Sequence, residues 1–347
     1  MRAAVFQGRG MGHRIETLPD PTPGPGEVVV RVRRSGICAT DITITSDSSS
    51  DTPLDRLYQA LSTPGTVLGH EIGGEVVAVG SAVSQLRLGD KVAPTAFSGC
   101  GSCATCIAGK ADWCAQARAR MGGYAEFALA DEAFCVRLPA TLGDDDSALL
   151  EPMATSLHAV TLANLNESSR VAVIGAGPIG LGGVFFARRA NVHRLAAVAR
   201  SDRHRELALA MGADSFVTQG SNIEEELCAA LGGRPDVVLE LSGAQGVINQ
   251  AATWLRPAGT IVAAGATSPT PDPVIHALAV GKEIKLQYSA SYLRDDLRRI
   301  ADIFDSGDTR LRQLVSRRIS LDEFPTVFEG LRTRHAECKV MVDPALQ

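Results

Sequence analysis

Four side chains in the first half of the chain carry groups suited to a metal ion: the Cys38 thiol, the His70 imidazole and the carboxylates of Glu71 and Glu151. One thiolate, one imidazole and two carboxylates form a mixed ligand set that suits zinc and leaves a coordination position open for chemistry. Its centre is Val67-Leu68-Gly69-His70-Glu71-Ile72-Gly73-Gly74-Glu75. Gly-His-Glu by itself is weak, because a lone histidine near glycines is more often a satisfied structural residue. Cys38 lies in Ser35-Gly36-Ile37-Cys38-Ala39-Thr40-Asp41, where an extended backbone would turn the Cys38 thiol and the Thr40 hydroxyl to one face.

A second metal site is more specific. Cys100, Cys103, Cys106 and Cys114 form a C-x2-C-x2-C-x7-C array, so half of the eight cysteines crowd into fifteen residues. Four thiolates at this spacing can converge on one tetrahedral zinc that pins a lobe too poor in apolar residues to pack itself. The ferredoxin pattern closes after three residues and is followed by proline, whereas here the gap is seven and Ala115 follows. The bland alternative is free or disulfide-bonded cysteines. Cys135, Cys228 and Cys338 are read as small buried hydrophobes.

The third constellation is Val171-Ala172-Val173-Ile174 followed by Gly175-Ala176-Gly177-Pro178-Ile179-Gly180 and an apolar helical run to Ala190. A G-x-G-x-x-G motif between strand and helix is a dinucleotide fingerprint: the glycines allow a tight turn and close backbone approach, and the helix N-terminus receives the pyrophosphate. Leu195-Ala196-Ala197-Val198 reads as the second strand and ends in Ala199-Arg200-Ser201, with Arg203 and Arg205 behind. Where NAD-binding chains place a carboxylate for the ribose hydroxyls, this one offers Arg200, which can pair with a 2′-phosphate. NADP(H) is therefore expected, with NAD(H) usable if the arginines only solvate a helix start.

These groups need elements to position them. Short apolar runs such as Val28-Val29-Val30-Arg31-Val32, separated by the turn-rich stretch from Leu18 to Gly26, mark an all-β start. The serine-rich loop at 46–53 reads as a solvated connection or a flap, with a short helix over 54–61. Asp144-Asp145-Asp146 open a helix on which Glu151, Thr155 and His158 share a face; the sharper reading turns that face into a cleft between domains, and the bland one makes it a polar stripe. Further strand and helix alternation, closing at Gly243 and Gly265, gives βαβ units of a parallel sheet whose loops join the cofactor-binding set. Ile284 to Tyr288 is the last strand of that run. After two amphipathic helical patterns, Cys338-Lys339-Val340-Met341-Val342 is expected to return as a strand to the first domain.

The 347 residues, 45% of them hydrophobic, suggest two globular domains, and a net charge of −5 offers no basic stripe for nucleic acid. The uncharged run Val171 to Ala187 is too short for a membrane span and is interrupted by Pro178. With no secretory apolar run at the start, a cytoplasmic location is expected.

Together, Gly36 to Asp41, Gly69-His70-Glu71, the cysteine array, Glu151-Pro152 and Gly175 to Gly180 resemble, in order and across nearly the whole chain, the zinc-dependent medium-chain alcohol and polyol dehydrogenases of the sorbitol and threonine dehydrogenase types. The resemblance implies a GroES-like catalytic domain of residues 1–154 and 290–347 around an inserted Rossmann domain of residues 155–289. It implies two zinc ions per chain, with Cys38 and His70 as catalytic ligands and either Glu71 or Glu151 completing the set. Thr155 matches the threonine near the nicotinamide, and Thr40 the hydroxyl that begins a proton relay. Many members follow the cysteine after five residues with a histidine; here that position is Thr43. The implied activity is interconversion of a small alcohol and its ketone or aldehyde, leaning towards polyols, cyclitols and other polar secondary alcohols, in a homodimer or homotetramer. Reduction of an activated double bond on the same fold, or non-catalytic binding of zinc and dinucleotide, are the alternatives.

Overall fold

The computed structural model describes residues 1–46, 56, 59–220, 222–265, 271–333 and 336–346. The serine-rich loop lies outside them from residue 47 onward; of the helix expected over 54–61, residues 56 and 59–61 are described and are helical. The chain divides into two compact units, one of Met1–Glu151 with Leu293–Gln347, the other of Pro152–Tyr292. No helix among the described residues is long and apolar enough to cross a membrane.

The first unit is built on β-structure. Strands β1 (Arg2–Gly8) and β2 (Gly12–Thr17) form a hairpin. A mixed sheet is assembled from β3 (Glu27–Gly36), β4 (Glu71–Val79) and β5 (Lys91–Pro94). The two-residue strands β6 (Phe97–Ser98) and β7 (Arg118–Ala119) pair beneath the cysteine array. Strands β8 (Phe127–Asp131) and β9 (Cys135–Arg137) rejoin the mixed sheet, β8 on β3 and β9 on β5. Alternating Val28, Val30 and Val32 pack with Ile72, Val76 and Val92 in one apolar cluster, as the period-2 pattern requires.

The second unit is a six-stranded parallel sheet. Its strands are β10 (Arg170–Ile174), β11 (Arg194–Ala199), β12 (Ser215–Thr218), β13 (Val237–Glu240), β14 (Thr260–Ala263) and β15 (Lys285–Tyr288). Their spatial order is β12-β11-β10-β13-β14-β15, the doubly wound order 3-2-1-4-5-6, which reverses between β10 and β13. Buried strands such as Val171, Ala172 and Val173 read as continuous apolar runs because helices cover both faces.

The last segment closes the first unit. There β16 (Val315–Ile319) pairs parallel with β17 (Lys339–Val342), which pairs antiparallel with β3, Met341 opposite Gly36. β17 thus joins β3 at the position that decides where its lysine goes.

Candidate active site

Three strand ends meet in the first unit. β3 pairs with β4 so that Gly36 faces Glu71, and the Ile37 amide beyond β3 donates to the Val340 carbonyl of β17 at 2.9 Å. This register brings Cys38, His70, Glu71 and Lys339 together. The backbone is not extended past Cys38, contrary to the expectation of a shared Cys38–Thr40 face. A helix runs from Ala39 to Ile44, and Cys38 is its N-cap, its sulfur accepting from the Thr40 amide at 3.5 Å. Asp41 decides this: at the third helical position its carboxylate accepts from the Cys38 amide at 3.3 Å, completing a capping box.

The same Asp41 carboxylate, fully buried, takes the Tyr124 hydroxyl at 2.5 Å and places its other oxygen 3.4 Å from His70 Nδ1. That separation is long for a hydrogen bond but close for charge attraction in a buried setting. Burial penalises the charged imidazole, yet Asp41 and Cys38 outweigh it and raise His70 well above the ordinary range. Burial likewise opposes Asp41, while His70, Tyr124 and the Cys38 amide hold its carboxyl below the usual carboxylate value. Gly69, at φ +89°, makes the turn into His70 in a region that favours glycine, and a Cβ there would strike the Tyr124 ring.

Glu71 is occupied otherwise. Both its oxygens lie 2.7 Å from Lys339 Nζ, which also donates to the Ile37 carbonyl at 3.1 Å, and both side chains are buried. Gly36 leaves the space for that carboxylate, which any Cβ would invade. Burial works against the Lys339 ammonium, but Glu71, Cys38 and Glu151 together raise it. Glu151, buried, therefore belongs to the same electrostatic cluster. Thr155 follows one turn on along the helix Asp144–Leu162, while the Thr43 hydroxyl is turned back on the Ala39 carbonyl at 2.9 Å.

The cysteine lobe gathers its four thiols as its spacing suggested. The Sγ atoms of Cys100, Cys103, Cys106 and Cys114 all lie within 4.8 Å of one another. Cys103 and Cys114 are 3.7 Å apart, close to the edge of about 3.8 Å of a tetrahedron with Zn–S bonds of about 2.3 Å. Backbone amides of Cys100, Cys103 and Gln116 point at the sulfurs. The Thr105 hydroxyl and neighbouring donors lower the Cys103 thiol to about 6, while burial pushes Cys106 up to about 12. Such crowded thiolates repel, and a divalent cation among them removes the conflict, so the donor set fits zinc.

In the second unit the glycine loop leaves β10 with Gly175 at φ +111°, its amide donating to the Val198 carbonyl at 2.9 Å. Gly177 caps the helix Pro178–Arg189, and a Cβ there would meet nothing, so this turn is open to a ligand. Gly180 instead packs on the Gly175 carbonyl, where a Cβ would collide, and the Ile179 carbonyl takes the Ser156 hydroxyl at 2.9 Å. Gly243 and Gly265 press against each other beyond β13 and β14, held by Glu240, which accepts from the Ser242 and Gly243 amides. Arg200 is exposed. Arg205 is committed to β12: it donates to the Phe216 carbonyl at 3.1 Å and lies over the Phe216 ring.

Asp41, Lys339 and Glu240 carry structure that the motifs did not name. Each had a faint signal: a carboxylate three residues after the cysteine, and one charge apiece in otherwise apolar strands.

Comparisons with known proteins agree with this fold. Residues 24–140 match the alcohol dehydrogenase GroES-like domain, and residues 178–306 match the zinc-binding dehydrogenase domain. An L-threonine 3-dehydrogenase of Saccharopolyspora erythraea is 34% identical over 272 residues, covering 76% of this chain and 77% of the relative. A sorbitol dehydrogenase of Halalkalibacterium halodurans is 28% identical over 358 residues, covering 99% of both. Among solved structures, a protein of Sinorhizobium meliloti described as a zinc-binding dehydrogenase and bound to NADP superimposes with a TM-score of 0.86 at 31% identity, covering 99% of both chains. With an alcohol dehydrogenase GroES-like domain and a zinc-binding dehydrogenase domain matched in one chain, and a relative 34% identical over 76% of it, the chain belongs to the zinc-dependent medium-chain alcohol dehydrogenase family.

Proposed function

We propose that the chain interconverts a polar secondary alcohol and its ketone with NADP(H) as the preferred cofactor, and that its two units are the catalytic and dinucleotide-binding domains. The observation that carries the reading is a chain of charged neighbours: buried Glu71 and Glu151 and half-buried Cys38 act on Lys339, and buried His70 stands against Asp41 and Cys38. In this reading Cys38, His70 and Glu151 hold a catalytic zinc, because both oxygens of Glu71 are already taken by Lys339. Asp41 faces Nδ1 of His70 and so orients the ring, leaving Nε2 to the metal. Cys100, Cys103, Cys106 and Cys114 hold a second, structural zinc.

Bound zinc supplies a Lewis acid that makes an alcohol easier to deprotonate, and bound nicotinamide accepts the hydride. The protein's own work is to keep His70 oriented through Asp41 and Tyr124, to restrain Glu71, and to accept a hydrogen bond from the alcohol at the Thr40 hydroxyl. The lean towards polar secondary alcohols is supported by the threonine and sorbitol relatives, whose named substrates are both of that kind. NADP(H) is supported by exposed Arg200 and Arg203 at the end of β11 and by the NADP-bound relative; Arg205 is not counted, being spent on β12. A homo-oligomer is also proposed, with β15 as the free edge of its sheet and Tyr288 exposed there.

The test is metal content by mass spectrometry on wild type and Cys38→Ser, alongside NADPH and NADH consumption with a panel of ketones. Two zinc ions per chain, falling to one with loss of turnover in the variant, is the expected result. One zinc in both proteins without turnover would reduce the chain to a binder, and a preference for NADH would overturn the cofactor assignment.

A further inference from the structure

The turn after β11 carries a histidine that no part of the mechanism uses. His204 Nδ1 lies 2.7 Å from the carbonyl of Ala176, the middle residue of Gly175-Ala176-Gly177. A carbonyl only accepts, so Nδ1 carries the proton and donates. The two segments joined by this bond are those that flank the adenosine ribose in a doubly wound dinucleotide fold: the glycine turn after the first strand and the end of the second. They leave the sheet side by side, since Ile174 of β10 is paired with Val198 of β11.

The end of the turn is anchored in two directions. On one side Arg205 reaches the Phe216 carbonyl and the Thr218 hydroxyl of β12, and its amide closes on the Asp202 carbonyl at 2.9 Å. On the other, His204 reaches the glycine loop. Arg200 and Arg203 stand exposed within the same turn. Fixing the turn against the loop sets how far these guanidiniums stand from any ribose seated on the glycines, and a misplaced charge loses much of a bidentate phosphate contact.

We propose that His204 is a positioning residue for cofactor specificity: its bond to the Ala176 carbonyl holds the Arg200–Arg203 turn at the spacing that admits and pairs with a 2′-phosphate on the adenosine ribose. This rests on the NADP(H) reading above and names a residue through which it acts.

The experiment is calorimetric titration of the full chain with 2′,5′-ADP and with 5′-AMP, for wild type, His204→Ala and His204→Asn, together with kcat and KM for NADPH. Asn keeps a side-chain N–H near the place of Nδ1. In the alanine variant 2′,5′-ADP is expected to bind about tenfold more weakly, the order of one lost hydrogen bond, with 5′-AMP changed less than about twofold. KM for NADPH should rise with kcat kept, and Asn should restore most of the loss. Where wild type prefers 2′,5′-ADP, equal weakening of both probes, no weakening, or failure of Asn to rescue overturns the proposal. Should wild type bind the two probes alike, or prefer 5′-AMP, the NADP(H) reading fails and the proposal with it, an outcome read on wild type alone and so distinct from failure of the His204 variants.

Discussion

At the scale of single residues, Glu71 and Lys339 form a fully buried ion pair in the first unit. A buried ion pair is weak grounds for stability as a whole, but removing one partner strands the other charge, at a cost of about 3–5 kcal/mol. Lys339→Met should therefore lower the free energy of unfolding by about that much in urea titrations; a loss under about 1 kcal/mol would mean that Glu71 finds another partner. His13 makes a second prediction. It is buried among Phe6, Phe324 and Phe328, with ring centroids 4.6–5.3 Å away. Burial pushes its imidazole from 6.5 down to about 4, with Glu329 and Asp41 opposing and Arg332 assisting. A base harder to protonate when folded contributes stability that is complete above the unfolded value and is lost as pH falls from about 6.5 towards about 4. Between pH 7 and pH 4.5 the wild type should lose about 2 kcal/mol more than His13→Phe, which keeps an aromatic ring in the cage without the titration. Equal acid sensitivity of the two proteins would exclude His13 as its source.

Among elements, the cysteine lobe and the start of the long helix behave differently because they are held differently. The lobe's short helix, Ala104–Ile107, buries none of its residues, and Ile107 and Trp113 are exposed. Little apolar burial supports this lobe, so its order is expected to follow the zinc proposed for its four thiols. Cys103→Ser, or chelation of the wild type, should open residues 99–117 to limited proteolysis while the rest of the chain stays resistant; an equally protected lobe would show that packing alone holds it. The helix Asp144–Leu162, by contrast, is pinned by side chains. Asp146 caps its start through the Gly143 amide at 2.7 Å and takes Arg312 in two bonds of 2.7 Å, while Asp145 pairs with Arg34 at 3.0 Å and with Arg318. Those contacts tie the returning end of the chain to the helix that carries Glu151.

For the whole molecule, the sheet of the second unit ends at β15, an edge strand whose unpaired backbone groups invite another chain. With Tyr288, Val280 and Ile275 exposed nearby in sequence, that edge is the expected subunit contact. Light scattering should give a mass of two or four chains of 36.5 kDa each, and a single-chain mass would remove the proposed assembly.

Some of this was written in residue types and spacing alone. Four thiols in a C-x2-C-x2-C-x7-C array must lie close, because so few residues separate them, and Gly175 to Gly180 between an apolar strand and an apolar helix admits few other folds. Local chemistry of that kind survives without knowledge of the rest of the chain. What only tertiary structure decided depends on residues far apart in sequence. Register between β3, β4 and β17 brings Lys339 to Glu71 across 268 positions, and thereby occupies a carboxylate that, by type and neighbourhood, was as good a metal ligand as Glu151. Asp41 shows the same limit at shorter range: its capping role is local and was readable, but its place behind His70 needed the fold, and that capping turned an expected extended stretch into a helix. Arg205 looked, by position, as eligible for a phosphate as Arg200, until β12 claimed its guanidinium. Spacing fixes which groups are near along the chain, whereas pairing between distant strands fixes which of them remain available for chemistry.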